Sequence, residues 1–178
     1  MKLNKICLII LILLSFNIVS CNNNNTNNIA DNTSNDLESK FINIVDKMSD
    51  GLESELIQKL YDEDIRNVYE WTNSKHIDIW YYEVDLNDNG YNDIITIVSS
   101  PLHSGSHGDS VDIWINDGNG EYQEVSGLSV ARILSHDPEY NNGEIYISNE
   151  KTNGFRNINI ICQSNINLIY RDGRYEIN

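Results

Sequence analysis

Cysteine and positive charge are scarce in this chain, and each scarcity excludes something. Cys7 lies inside an N-terminal apolar run and Cys21 directly after it. Cys162 is then alone in the remaining body, and no disulfide can close there. It sits in Ile158-Asn159-Ile160-Ile161-Cys162, a strand-like run, and reads as a small buried apolar thiol. Lys and Arg total 12 against 27 Asp and Glu, for a formal net charge of −15. Such a surface repels nucleic acid and anionic headgroups, so neither is expected as a partner. Long apolar runs are missing too, apart from Ile6 to Phe16, which is short and very close to the start for an ordinary spanning helix.

That one run has the form of a secretory signal, preceded by Lys2 and Lys5. It ends at Ile18-Val19-Ser20-Cys21, which resembles a bacterial lipobox: a branched apolar residue, two small or moderate ones, then cysteine. The resemblance implies cleavage before Cys21, so that residues 1–20 are a signal peptide. It also implies diacylglycerol on the Cys21 sulfur and a further acyl chain on the new amino terminus. Each buried methylene contributes about 0.8 kcal/mol, so several such chains anchor stably. The membrane is then a partner through lipid, and the body lies in the bacterial cell envelope outside the cytoplasm. Cleavage takes Lys2 and Lys5 and no acidic residue, moving the formal charge from −15 to −17. The alternative is an uncleaved N-terminal anchor in which Cys21 has no role.

Residues 21–36 are nearly all Asn, Thr, Ser and Asp and bury too little apolar area to offset ordering entropy. They are expected to be a flexible tether. Beyond them Leu37, Phe41, Ile44, Val45 and Met48 recur at three- and four-residue spacing, which predicts a helix capped by Asp36 and interrupted by Gly51. Leu52, Leu56, Ile57 and Leu60 predict a second short helix with Glu53 and Glu55 in its first turn. Ile65, Val68, Tyr69 and Trp71 suggest a third.

The rest reads as strands. Ile77, Ile79, Tyr81 and Glu83 alternate with Trp80, Tyr82 and Val84, and Ile94 to Val98 is a continuous apolar run suited to a fully buried strand. Val111, Ile113 and Ile115 alternate with Asp112, Trp114 and Asn116 and face Tyr122 to Val125 across the turn cluster Asp117-Gly118-Asn119-Gly120. Val130 to Leu134, Glu144 to Ser148, Phe155 to Cys162, Ile166 to Tyr170 and Tyr175 to Ile177 continue the series. Asn141-Asn142-Gly143 and Asp172-Gly173 have hairpin-turn character. The expected fold class is α+β: short N-terminal helices packed on a mainly antiparallel β-sheet or sandwich, one domain over residues 37–178.

The stretch with most chemistry in it is Asp85-Leu86-Asn87-Asp88-Asn89-Gly90-Tyr91-Asn92-Asp93. Side-chain oxygens fall at alternate positions, and Gly90 stands where a chain wrapping a small cation must turn sharply. A hard cation takes about six to eight oxygens at ~2.3–2.6 Å, which a short loop supplies only by curling around it. The loop is not an EF-hand, for strands flank it and loop position twelve is Thr96 rather than an acid. Its strand–loop–strand context, followed by Trp114-Ile115-Asn116-Asp117-Gly118-Asn119-Gly120, resembles FG-GAP and VCBS repeats. That resemblance covers Glu83 to Val125 and implies Ca2+ held by side-chain oxygens of Asp85, Asn87, Asn89 and Asp93 and by the Tyr91 carbonyl. Asn87 and Asn89 stand where Asp is frequent, which lowers ligand charge and weakens binding. One clear copy of the loop excludes a complete propeller. As an alternative, Asp85–Asp93 is a polar hairpin of ordinary turn formers.

A second polar, glycine-rich stretch runs from Pro101 to Ser110. His103, His107 and Asp109 are a candidate zinc set, although Gly105 and Gly108 oppose the helix that normally aligns two histidines four apart. Trp71, Trp80, Trp114 and the tyrosines could make a carbohydrate or peptide face, or serve as core and sheet-face residues. Together these features favour a non-enzymatic, lipid-anchored envelope protein with a structural calcium loop and a protein- or glycan-binding role. The competing reading is a metal-dependent hydrolase built on His103, His107 and Asp109.

Overall fold

Alternating apolar and polar residues become strand after strand in the computed structural model, which describes residues 41–72, 77–100, 102, 108–134 and 143–178. Cys21, the tether, His103, His107 and the Asn141-Asn142 half of one expected turn lie outside the described residues. Among those described, ten strands make two five-stranded sheets. They are β1 (Phe41–Asn43), β2 (Ser49–Asp50), β3 (Asp78–Val84), β4 (Asp93–Ser99), β5 (Gly108–Asn116), β6 (Tyr122–Ala131), β7 (Glu144–Thr152), β8 (Phe155–Ile161), β9 (Asn165–Arg171) and β10 (Arg174–Ile177). The first sheet runs β2-β3-β4-β5-β6 and the second β1-β7-β8-β9-β10, every pairing antiparallel.

β4 explains why one stretch of sequence is apolar without alternation. Ile95 and Ile97 join a core cluster that also takes Val111 and Ile113 from β5 and Ile145, Ile147, Ile158 and Leu168 from the second sheet. Ile94 and Val98 point the other way, into a separate cluster with Ile57, Tyr61 and Val68. Both faces of β4 are covered, so both faces are hydrophobic. β3 divides in the same manner, with Ile79 toward the second cluster and Trp80, Tyr82 and Val84 against the shared core.

Ile57, Tyr61 and Val68 belong to a helical segment formed by α1 (Glu55–Leu60) and α2 (Asp62–Thr72), with Tyr61 between them. The Ser54 hydroxyl caps α1 by accepting from the Ile57 amide at 3.4 Å. Asp62, Glu63 and Asp64 occupy the first turn of α2, where the helix dipole favours negative charge. Gly51 precedes both, and a Cβ there would lie 2.9 Å from the Ile79 carbonyl oxygen. Only glycine lets this turn approach β3 so closely.

Leu37 lies outside the described residues, and over residues 41–48 the expected helix is not what forms. Phe41–Asn43 is instead strand β1, with Ile42 opposite Ile147 of β7, followed by one 3-10 turn at Val45–Lys47. The apolar spacing that suggested a helix serves another purpose: Ile44 is fully buried in the shared core and its amide donates to the Ile145 carbonyl at 3.0 Å. The Asn43 side chain accepts from the Val45 amide at 3.1 Å, a local turn that competes with helix. Tyr122 to Val125 and Val130 are likewise parts of one long strand, β6, which ends at Ala131 rather than Leu134. Two hairpins turn on residue pairs with positive φ, Asn153-Gly154 (51° and 88°) and Asp172-Gly173 (51° and 86°), the geometry that suits the twist of the flanking strands. The first of these pairs follows a β7 that runs to Thr152, beyond the expected end at Ser148, while β8 starts at Phe155 as expected.

Candidate metal centre

The loop from Asp85 to Asp93 joins β3 to β4. Its anchor is Leu86, fully buried in the shared core. The Leu86 amide donates to Asp93 Oδ2 at 2.8 Å, and its carbonyl accepts from the Arg156 amide of β8 at 2.8 Å. Beyond Leu86 the chain curls around the Asp85 carboxylate. Oδ1 accepts from the amides of Asn87 (3.3 Å) and Asn89 (3.1 Å), and Oδ2 from Gly90 (2.8 Å). Asn87 Oδ1 accepts from the Asn89 amide at 3.0 Å, and Asn89 Oδ1 from the Tyr91 amide at 2.8 Å. These are successive side-chain turns, which Asn and Asp form readily. The curl needs left-handed backbone at Asp88 (φ 59°) and Gly90 (φ 87°).

Asp85, Asn87 and Asn89 therefore direct oxygens toward amides of the same short turn, and Asp93 reaches that turn from the next strand. Asp93 is fully buried, and its Oδ1 accepts from the Asn116 amide at 2.9 Å. Burial pushes its carboxyl above the usual carboxylate range; the two amides oppose this, and the nearby Asp85 charge adds to it. The donor set is two carboxylates and two amide carbonyls, all oxygen. Among the described residues no group of three or more His, Cys, Asp or Glu is placed to hold a metal ion.

The loop touches both of its surroundings. Toward the β5–β6 hairpin, Asn89 Nδ2 donates to the Asn116 carbonyl at 3.0 Å. The Tyr91 ring lies over Gly118, where a Cβ would stand 2.5 Å from Cε2. The two stretches quoted for the repeat resemblance, Asp85–Asp93 and Trp114–Gly120, are thus in contact at Asn116 and Gly118. Toward the second sheet, Asp88 turns outward to pair with Lys151 and, at 3.2 Å, with Arg156. Hydrogen bonds from Lys151 first and Arg156 second hold the Asp88 carboxyl below its usual range.

Of the alternative zinc set, only Asp109 lies among the described residues. It is fully buried at the start of β5, and Oδ2 accepts from the amides of Ile133 (2.6 Å) and Leu134 (3.2 Å). Burial raises its carboxyl, opposed by those amides, the Ser99 hydroxyl and the Arg132 charge. This oxygen fixes the exit of β6. Trp80 packs against the shared core and Trp114 against the helix-side cluster.

One polar group was not legible in the sequence. Beneath the helices the Tyr61 hydroxyl donates to Asp112 Oδ2 at 2.6 Å, lies 2.5 Å from Thr96 Oγ1 and accepts from Trp114 Nε1 at 3.1 Å. Ser110 Oγ donates to Asp112 Oδ1 at 2.5 Å. Burial, then the Asp112 charge, pushes the Tyr61 phenol well up. Asp112 falls between Val111 and Ile113 of the alternating run and Ser110 closes the polar stretch from Pro101, so nothing local marks either as buried. The helices cover their face of the strand, so they are buried.

No family model, curated protein or solved structure matches this chain.

Proposed function

We propose that this chain is a non-enzymatic, lipid-anchored protein of the bacterial cell envelope that binds a macromolecule or glycan. Its sheets form a sandwich, and one calcium ion in the Asp85–Asp93 loop stabilises it. The observation supporting the calcium reading is that Asp85, Asn87, Asn89 and the buried Asp93 all turn side-chain oxygens to backbone amides of one short loop. Side chains of those four and the Tyr91 carbonyl would hold the ion. An all-oxygen set suits a hard cation, and two carboxylates balance its charge. With only two acids the site is weak, in the ~10⁻⁴–10⁻³ M range of extracellular calcium modules.

Calcium bound there would offset the charge that burial disfavours at Asp93 and stiffen a loop tied to both sheets. At ~10 mM calcium the gain is about 1.4–2.7 kcal/mol. For a domain of this size that raises the melting temperature by roughly 4–10 °C. Differential scanning calorimetry with calcium and with chelator tests it. The shift should vanish in Asp85→Ala, and an unchanged wild-type melting temperature would refute the calcium reading. The anchor is tested apart from it: labelled palmitate should enter the wild type and not Cys21→Ser.

A further inference from the structure

The two sheets are finished differently on their outer faces. Helices cover the first, while among the described residues no helix packs on the second. A groove of about 690 Å³ lies there, within the ~300–1,000 Å³ usual for ligand sites.

Its chemistry is set by strand register. Asn43 lies opposite Tyr146, Tyr146 opposite Asn159, and Asn159 opposite Asn167, one row across β1, β7, β8 and β9. Three strand spacings make the row roughly 14 Å long, the reach of a short chain of sugars rather than one ring. Asn165 lies in the adjoining row, opposite Ile161. Phe41 is two residues from Asn43 on the same strand face and stands edge-on to Tyr146, with ring centroids 6.4 Å apart. The Asn43 oxygen is taken by the Val45 amide. The side-chain amides of Asn159, Asn165 and Asn167 have no hydrogen-bond partner among the described residues.

None of the residues lining the groove is charged, in a chain carrying −15. Glu144 stands at its rim and accepts from the Tyr146 hydroxyl at 2.8 Å, and the Asp46 charge reaches the same phenol, so an anion is repelled there. A neutral hydroxyl-rich ligand fits. Each amide offers donors and an acceptor to adjacent hydroxyls, and rings with apolar neighbours accept the C–H face of a sugar. We infer that this outer face binds a short neutral oligosaccharide. The inference rests on the reading of the chain as a binding module, and it places recognition away from the metal loop.

The test titrates the full chain with maltotriose, cellotriose and chitotriose by calorimetry, with the matching monosaccharides and trigalacturonate as comparisons. One neutral trisaccharide should bind at least about tenfold more tightly than its monosaccharide, and trigalacturonate should not compete. Asn159→Leu and Tyr146→Ala should each weaken binding at least about tenfold. Should either fail to fold, Asn167→Asp places a charge in the row and should weaken binding as well. No binding of any trisaccharide at ~10 mM overturns the inference, as does binding indifferent to all three substitutions. So does self-association of the chain, or capture of an uncharged peptide, that Tyr146→Ala abolishes. Calcium-dependent melting is followed in the same samples. A failed titration with an intact calcium shift removes the groove alone, and loss of the shift alone removes the metal reading.

Discussion

Tyr61→Phe removes one oxygen from a site where three side chains depend on it. The lost donation to Asp112 Oδ2, at 2.6 Å, is a hydrogen bond to a carboxylate, worth about 1.5–3 kcal/mol. Thr96 is least affected, because its hydroxyl also lies 3.4 Å from the Asp112 carbonyl and can turn to it. Trp114 loses the acceptor of its indole N–H, but it is only half-buried and water can replace part of that bond. The phenol ring stays, with its edge contact to Trp114 at 5.5 Å, so packing is nearly conserved. The expected loss is about 2–4 kcal/mol, toward the upper end if Asp112 loses a bond it cannot replace. Urea denaturation followed by tryptophan fluorescence measures it, and the slope with urea should stay constant because the surface exposed on unfolding is unchanged. A loss below ~1 kcal/mol would show that this buried network is a bystander, whatever its short distances.

Three other substitutions probe separate contacts. Gly51→Ala sets a methyl 2.8 Å from Ile57 Cγ2 and 2.9 Å from the Ile79 carbonyl oxygen, and overpacking of this kind should cost about 1–3 kcal/mol in the same denaturation assay. Because burial raises the Asp109 carboxyl, the folded state holds that proton longer than the unfolded chain. Wild-type stability should therefore fall as pH rises from the ordinary carboxylate pKa through the raised one, and Asp109→Asn should remove this contribution from urea midpoints taken across that window. Asp88 has the opposite sign: its carboxyl is lowered, so its contribution is present above the ordinary carboxylate pKa and is lost as pH falls through the folded value. That contribution is small because the group is exposed, and the difference between wild type and Asp88→Ala should disappear in high salt.

Strands were legible wherever alternation and a turn pair coincided. β5 and β6 meet across Asp117–Gly120, and β9 and β10 across Asp172-Gly173, as their residues suggest. Asn153-Gly154 carries the same turn chemistry and could have been read in advance. The helical reading went wrong over residues 41–48 because four apolar residues spaced for a helix, Phe41, Ile44, Val45 and Met48, are equally well used by a short strand and one turn when β7 supplies the partner. That partner is about a hundred residues away in sequence, so no local pattern announces it. Burial of Asp112 was hidden for a similar reason. Alternation shows which residues share a face of a strand, but not whether a helix from elsewhere covers that face. The side-chain turns at Asp85, Asn87 and Asn89 are local and could be read from the residues, whereas the ties of this loop to Asn116, Lys151 and Arg156 could not.

The pairing of β1 with β7 has a consequence for how the protein is made. The strands of the first sheet follow one another in the chain, and all have been synthesised by Ala131. Phe41–Asn43 must wait for Tyr146–Ser148. At about 5–20 residues per second that is a delay of roughly 5–20 s on the ribosome. A product truncated before β7 would hold every strand of the first sheet and leave Phe41–Asn43 without its partner.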